Sequence, residues 1–142
     1  MGKRNIIIIV IITIVLIIAA VTIIYTRPDI KNLYLCSDKN SSIYEKNQNN
    51  IYYFESTDTD IYLVIEVLSI TTNDEVKTMW RKIEKDSSEI IQKNIIYPEK
   101  KGSGRIVISL VKKDDIYSPG IYSVEVYLNG RKEATEEFYI LE

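Results

Sequence analysis

Histidine is absent from all 142 residues. That removes the commonest general base, the commonest metal ligand and the usual pH switch. A single cysteine, Cys36, excludes an intrachain disulfide and any multi-cysteine metal or iron–sulfur site, and reads as a small buried hydrophobe. Basic residues are too few and too dispersed for a nucleic-acid footprint. Every Asp and Glu lies from Asp29 onward, and of the 18 Lys and Arg three (Lys3, Arg4, Arg27) precede it. Twenty acids against fifteen bases leave residues 29–142 near −5. No Gly-x-Ser-x-Gly, phosphate loop, dinucleotide-binding glycine pattern or metalloprotease helix occurs. The expectation is therefore a protein that is not an enzyme, with no cofactor, no metal, no nucleic-acid partner and no small-molecule substrate.

What is present begins with an apolar run over residues 6–24, from Ile6 to Ile24, interrupted only by Thr13 and Thr22. As a helix it covers about 28 Å, close to the ~30 Å hydrocarbon core of a bilayer. Lys3 and Arg4 precede it and Arg27 follows, which favours a cytoplasmic amino terminus. Tyr25 falls at headgroup level, and Pro28 stops the helix. A cleaved signal peptide has a shorter core followed by a small-x-small site, whereas Ala19 and Ala20 lie inside this run. Met1-Gly2 resembles a myristoylation start but has Ile6 where Ser or Thr belongs. Leu33-Tyr34-Leu35-Cys36 resembles a lipoprotein box with large residues in the small positions. The run holds no charge and no Gly-x-x-x-Gly, so it reads as a passive tether in the lipid bilayer. Residues 1–28 thus form a cytoplasmic start and single-pass signal-anchor, and residues 29–142 one extracytoplasmic domain at the plasma membrane.

The displayed part reads as about seven short strands: 29–37, 51–54, 61–70, 76–84, 87–97, 105–112 and a closing hairpin. Residues 98–104 and 114–120 read as loops. The 87–97 segment alternates poorly. In the hairpin, Tyr122, Val124 and Val126 face the core, as do Ala134, Phe138 and Ile140. A three-residue loop Leu128-Asn129-Gly130, with Gly130 left-handed in a bulge, would pair Val126 with Lys132 and Val124 with Ala134, and place Glu136 across from Tyr122.

Other candidate chemistry is slight. Gly102-Ser103-Gly104 reads as a turn. Asp58 with Asp60, and Asp114 with Asp115, read as solvated carboxylates. Glu136 and Glu137 are adjacent, so on a strand they point to opposite faces. Asn40-Ser41-Ser42 is a formal glycosylation acceptor. Tyr44, Tyr52, Tyr53, Tyr62, Tyr97, Tyr117 and Tyr127 are too many all to be core. Tyrosine suits sheets and also suits contact surfaces.

Trp80, the Ser118-Pro119-Gly120-Ile121-Tyr122-Ser123-Val124 stretch, Gly130 and Phe138 together resemble bacterial immunoglobulin-like and fibronectin-type-III-like surface domains. The resemblance implies an all-β immunoglobulin-like sandwich. It also implies Trp80 in the core, Gly120 and Tyr122 opening the penultimate strand, Tyr122 as a tyrosine corner, Gly130 in the closing turn and Phe138 in the last strand. Val124 stands where antibody domains carry a cysteine. The fold is compatible with many roles. The expected function is a binding or assembly module with a protein or cell-envelope partner, or else a structural accessory subunit of a membrane or cell-envelope complex.

Overall fold

The computed structural model describes residues 3–37, 51–58, 60–112 and 116–142. The Asn40-Ser41-Ser42 acceptor, Tyr44 and the Asp114-Asp115 pair lie outside them.

One helix, α1 (Lys3–Thr26), precedes eight strands: β1 (Asp29–Cys36), β2 (Tyr52–Glu55), β3 (Tyr62–Ile70), β4 (Val76–Glu84), β5 (Ser87–Ile96), β6 (Gly102–Ser109), β7 (Gly120–Leu128) and β8 (Arg131–Leu141). The 18 residues Ile6–Ile23 are long and apolar enough to cross a membrane, and none is buried. The two hydroxyls within Ile6–Ile23 are satisfied inside the helix: Thr13 donates to the Ile9 carbonyl at 2.9 Å and Thr22 to the Ile18 carbonyl at 2.8 Å. Nine residues apart, they sit on opposite sides of a 3.6-residue helix, so no polar stripe runs along it.

The strands form two sheets, ordered β1-β3-β6 and β2-β8-β7-β4-β5. All pairings are antiparallel except β2 with β8, which run parallel. The inward faces share one core: Leu35, Leu63, Ile65, Val67 and Ile108 from the first sheet, and Tyr52, Phe54, Val76, Trp80, Val124, Val126, Phe138 and Ile140 from the second. The alternation that a half-buried sheet requires is clear in β7, where Tyr122, Val124, Val126 and Leu128 are buried.

The eight described strands fall on the six segments and the closing hairpin read from the sequence, and β2 joins the sheet edge alongside β8. Two departures from the sequence expectation have physical causes. The sixth strand starts at Gly102 instead of residue 105, and ends at Ser109 instead of 112. Gly102, at φ +125°, reaches Ile70 because β3 is irregular between Val67 and Ile70, where Ser69 is left-handed at φ 53°. Gly102-Ser103-Gly104 is thus strand and not a turn.

The second departure is the closing hairpin, which turns in two residues, Asn129 and Gly130, with Leu128 opposite Arg131. Both have positive φ, 51° and 78°, as the tight turn that matches strand twist requires. The even faces still meet, because the register shifts between Val126 and Tyr127. Val126 then lies opposite Ala134, Val124 opposite Glu136 and Tyr122 opposite Phe138. A bulge in β8 does the work assigned above to a longer loop, and Glu136 faces Val124 rather than Tyr122.

β5 is the strand expected over 87–97, and its poor alternation has a cause. Trp80 pairs with Gln92 but Arg81 pairs with Ile90, so Ile91 is an extra residue that reverses the face of everything before it.

Asn129 also fixes the turn to the β3–β4 connection. Its backbone N–H donates to the Glu75 carbonyl at 2.9 Å, its side-chain oxygen accepts from the Glu75 N–H at 2.9 Å, and its side-chain amide donates to Asp74 at 2.7 Å. Asp74 also accepts from the Thr71 N–H at 2.6 Å and the Thr71 hydroxyl at 2.8 Å. Burial raises the Asp74 carboxyl, but these three bonds outweigh it and hold it below the ordinary 3.8. Glu125 is likewise held below 4.5, first by its bond from Lys132, against burial, then by Tyr127 and by the charges of Lys132 and Arg81. Both folded values are depressed, so this stabilisation is present above the ordinary values and is lost as pH falls through the folded ones. The melting temperature should be level near neutrality and fall on acidification below about pH 4. A melting temperature unchanged down to pH 2.5 would show that neither carboxylate supports the fold.

Candidate functional site

Strand direction sorts the connections to two ends. Asp29 lies opposite Leu68, Val76 opposite Ile96 and Leu128, and Ile70 opposite Gly102. The 71–75, 97–101 and Asn129-Gly130 turns therefore share the end where α1 enters. The connections after β2, between β4 and β5, and between β6 and β7 lie at the other end. A nine-residue strand separates the two ends by roughly 30 Å.

A cleft of about 560 Å³ opens at this far end. Lys82 and Glu84 of β4 and Glu89, Ile90 and Ile91 of β5 form one wall; Leu110 to Lys112 and Ile116 to Ser118 form the other. The register explains the polar members, because Lys82 lies opposite Glu89 and Tyr122, on the face that is core at Trp80 and Val124. Two tyrosines close its floor. The buried Tyr117 hydroxyl donates to the Leu110 carbonyl at 3.1 Å and accepts from the Ile61 N–H at 2.9 Å. The Tyr122 hydroxyl donates to the Ser118 carbonyl four residues upstream at 2.5 Å. Burial pushes both phenols above their ordinary value, against their hydrogen bonds. Each ring faces an ammonium: Lys112 lies 5.1 Å from the Tyr117 centroid and Lys82 5.9 Å from that of Tyr122.

The expected site residues fall in three places. Gly120 and Tyr122 border the cleft. A Cβ on Gly120 would come within 3.2 Å of the Lys82 stem, at φ +149°, and the same lysine donates to the Ser118 hydroxyl at 2.7 Å. Tyr122→Phe removes the bond to Ser118 and should cost about 1 kcal/mol in denaturant unfolding. No loss would leave the Tyr122 hydroxyl without a stabilising part. Trp80 and Phe138 are core, their rings edge to face at 6.0 Å. The Trp80 indole N–H has no hydrogen-bond partner among the described residues, so its contribution is volume and ring contact. Gly130 is at the opposite end, in the turn.

Of the tyrosines singled out in the sequence, Tyr52 and Tyr117 are core. Tyr62 and Tyr127 are half-buried, while Tyr53 and Tyr97 are exposed. Gln92 was not anticipated. Its amide donates to the Ser109 carbonyl at 2.9 Å and accepts from the Val111 N–H at 2.7 Å, joining the edge of β5 to the end of β6. A glutamine inside a poorly alternating strand gives no such signal in the sequence.

The outer face of the five-stranded sheet carries a second feature at the far end. Ile83, Ile121, Tyr139 and Tyr53 are successive cross-strand neighbours on β4, β7, β8 and β2. The two tyrosine rings stack at 5.3 Å. Burial, then the charge of Glu137, raises the Tyr139 phenol, which donates to Glu137 at 3.3 Å. Leu141 and Ile90, both exposed, flank the row. Among the described residues no group of three or more His, Cys, Asp or Glu is placed to hold a metal ion. Asp60 instead accepts from the Tyr62 hydroxyl at 3.0 Å, and Asp58 from the Glu55 N–H at 2.9 Å.

No family model matches the chain, and no curated protein matches it. Among solved structures, an alkylpurine DNA glycosylase of Pseudomonas fluorescens bound to DNA containing an abasic site analog is similar at TM-score 0.44 and 12% identity, over 81% of this chain and 30% of that one. A beta-glucosidase of Kluyveromyces marxianus in complex with glucose is similar at TM-score 0.43 and 14% identity, over 82% and 14%. The chain thus spans less than a third of either protein, and at these scores neither likeness bears on its fold or function.

Proposed function

We propose that this is a single-pass membrane protein with a cytoplasmic amino terminus and an extracytoplasmic immunoglobulin-like domain that binds a protein or cell-envelope partner without catalysis. The observation that carries the proposal is the separation of the two ends. The apolar helix enters beside the Asn129-Gly130 turn, and the cleft and exposed apolar side chains lie a strand length away. The exposure of α1 supports the anchor: none of its large side chains from Ile6 to Ile23 is less than 45% exposed, which calls for a hydrocarbon environment. The strand orders support the domain type. Lettered in the immunoglobulin manner, β1, β3 and β6 correspond to A, B and E, and β8, β7, β4 and β5 to G, F, C and C′. Trp80 then sits on strand C and the Tyr122–Ser118 bond at the start of strand F, both marks of that domain class.

A second reading, a structural accessory subunit of a membrane or envelope complex, needs the helix itself to make specific contacts. Replacing residues 3–26 with an unrelated apolar span separates the two. A binding module keeps its partner after the exchange, and an accessory subunit held through α1 loses it. The internal satisfaction of Thr13 and Thr22 favours the first outcome.

A further inference from the structure

We infer that the row Ile83–Ile121–Tyr139–Tyr53 is the docking surface, and that its occupant is a protein presenting apolar side chains ringed by lysine or arginine. The inference deepens the binding-module reading above and rests on it. The outer face of an antiparallel sheet facing water is ordinarily polar. Here four neighbouring strands place isoleucine, isoleucine, tyrosine and tyrosine side by side. Between the row and the anchored end the same face is mixed, with Arg81, Glu125, Lys132 and Lys93 among Met79, Tyr127 and Ile95, and charge there separates one apolar side chain from the next. Neighbouring strands already half-bury Ile83, Ile121 and Tyr139, and the Tyr53–Tyr139 stack holds both rings, so little side-chain freedom is lost on contact. Six side chains, with Leu141 and Ile90, form the desolvated centre of an interface and not its whole area.

The border decides the occupant. Glu137 lies one row away, opposite Ser123, and Glu55 lies opposite Leu141 with Asp58 bonded to its N–H. Arg81, beside the row on β4, is engaged by Glu125 at 3.5 Å. An apolar centre edged by acids, on a domain near −5, attracts a basic rim and repels a second copy of itself. Two copies anchored in one bilayer stand side by side with their far ends level. Acid edge then meets acid edge, which leaves the complementary charge to a different protein.

A photoreactive residue is placed in the full chain, in membranes of the cells that make it, at Ile121, at Val111 beside the cleft, or at Ile95 on the anchored half of the same sheet. The proposal expects one protein adduct at 121 and none at 95, joined through a peptide carrying Lys or Arg. Its yield should fall at least about tenfold in the Glu55→Lys, Glu137→Lys variant and should decrease as salt is raised. Circular dichroism confirms that the charge-reversed chain is folded. An adduct at 111 alone overturns the docking face and leaves the binding module standing. An adduct at 121 to a second copy, to a glycan or to a peptide without basic residues overturns the partner, as does a yield unaffected by charge reversal. No adduct at any position overturns both.

Discussion

Phe138→Ala should be the most damaging single truncation in the domain, costing about 3–5 kcal/mol. Phe138 is fully buried and is the ring on which the other aromatics converge. It stacks on Tyr122 at 5.4 Å and meets Trp80 and Phe54 edge to face at 6.0 Å and 5.9 Å. These partners come from β2, β4 and β7, so one truncation opens a cavity touching three other strands of the sheet. Total stability of a domain this size is typically about 5–15 kcal/mol. The loss should lower the melting temperature by on the order of 10–20 °C, or leave the domain unfolded at 37 °C. Thr135→Ala, on the exposed side of the same strand, should cost no more than about 0.5 kcal/mol. Similar melting curves for the two variants would place the core elsewhere.

The second large effect belongs to the Asn129-Gly130 turn. Gly130→Val puts a β-branched residue at φ +78°, a conformation that costs such a side chain roughly 1–3 kcal/mol. Nothing beyond the neighbouring residues lies within 4 Å of the added Cβ, so the cost comes from backbone strain and not from a clash at that atom. Asn129→Ala should cost about 2 kcal/mol, because it removes the bonds to Asp74 and to the Glu75 N–H and also strains a left-handed position. Asn129→Gly should recover part of that, since glycine meets the turn's conformation but not its hydrogen bonds. Chemical denaturation of the three variants gives the order. An Asn129→Gly as damaging as Asn129→Ala would assign the whole effect to the bonds.

What the sequence made legible was local. The apolar run and the clean alternation of β7 each report a single element's environment, and both appear in the fold. The matched even faces of the last hairpin were readable for the same reason. The turn that produces them was not, because a bulge in β8 opposite Val126–Tyr127 and a longer loop give the same facing pattern. β5 was hard to read because Ile91 breaks its period. The parallel pairing of β2 with β8 joins segments more than eighty residues apart, and no local pattern encodes it. Which of the seven tyrosines are core, Tyr52 and Tyr117 among them, was not readable, because a tyrosine's burial depends on such long-range neighbours. The Ile83–Ile121–Tyr139–Tyr53 row was invisible for the same reason: its four residues come from four strands and become adjacent only once three registers are known. The one trace in the sequence is that Ile121 and Tyr139 are apolar at odd positions, the outward face of their strands.

The central claim is that a folded domain stands outside the membrane on an uncleaved helix. Cys36 is the only cysteine and is buried, so a cysteine introduced at Ser88, exposed at the far end, is the one readily labelled site. Intact cells are treated with a membrane-impermeant maleimide, and the labelled chain is weighed by mass spectrometry. The account predicts labelling without permeabilisation, in the membrane fraction, on a chain of the full 16.5 kDa. Labelling only after the cells are opened, or on a shorter chain released from the membrane, would contradict it.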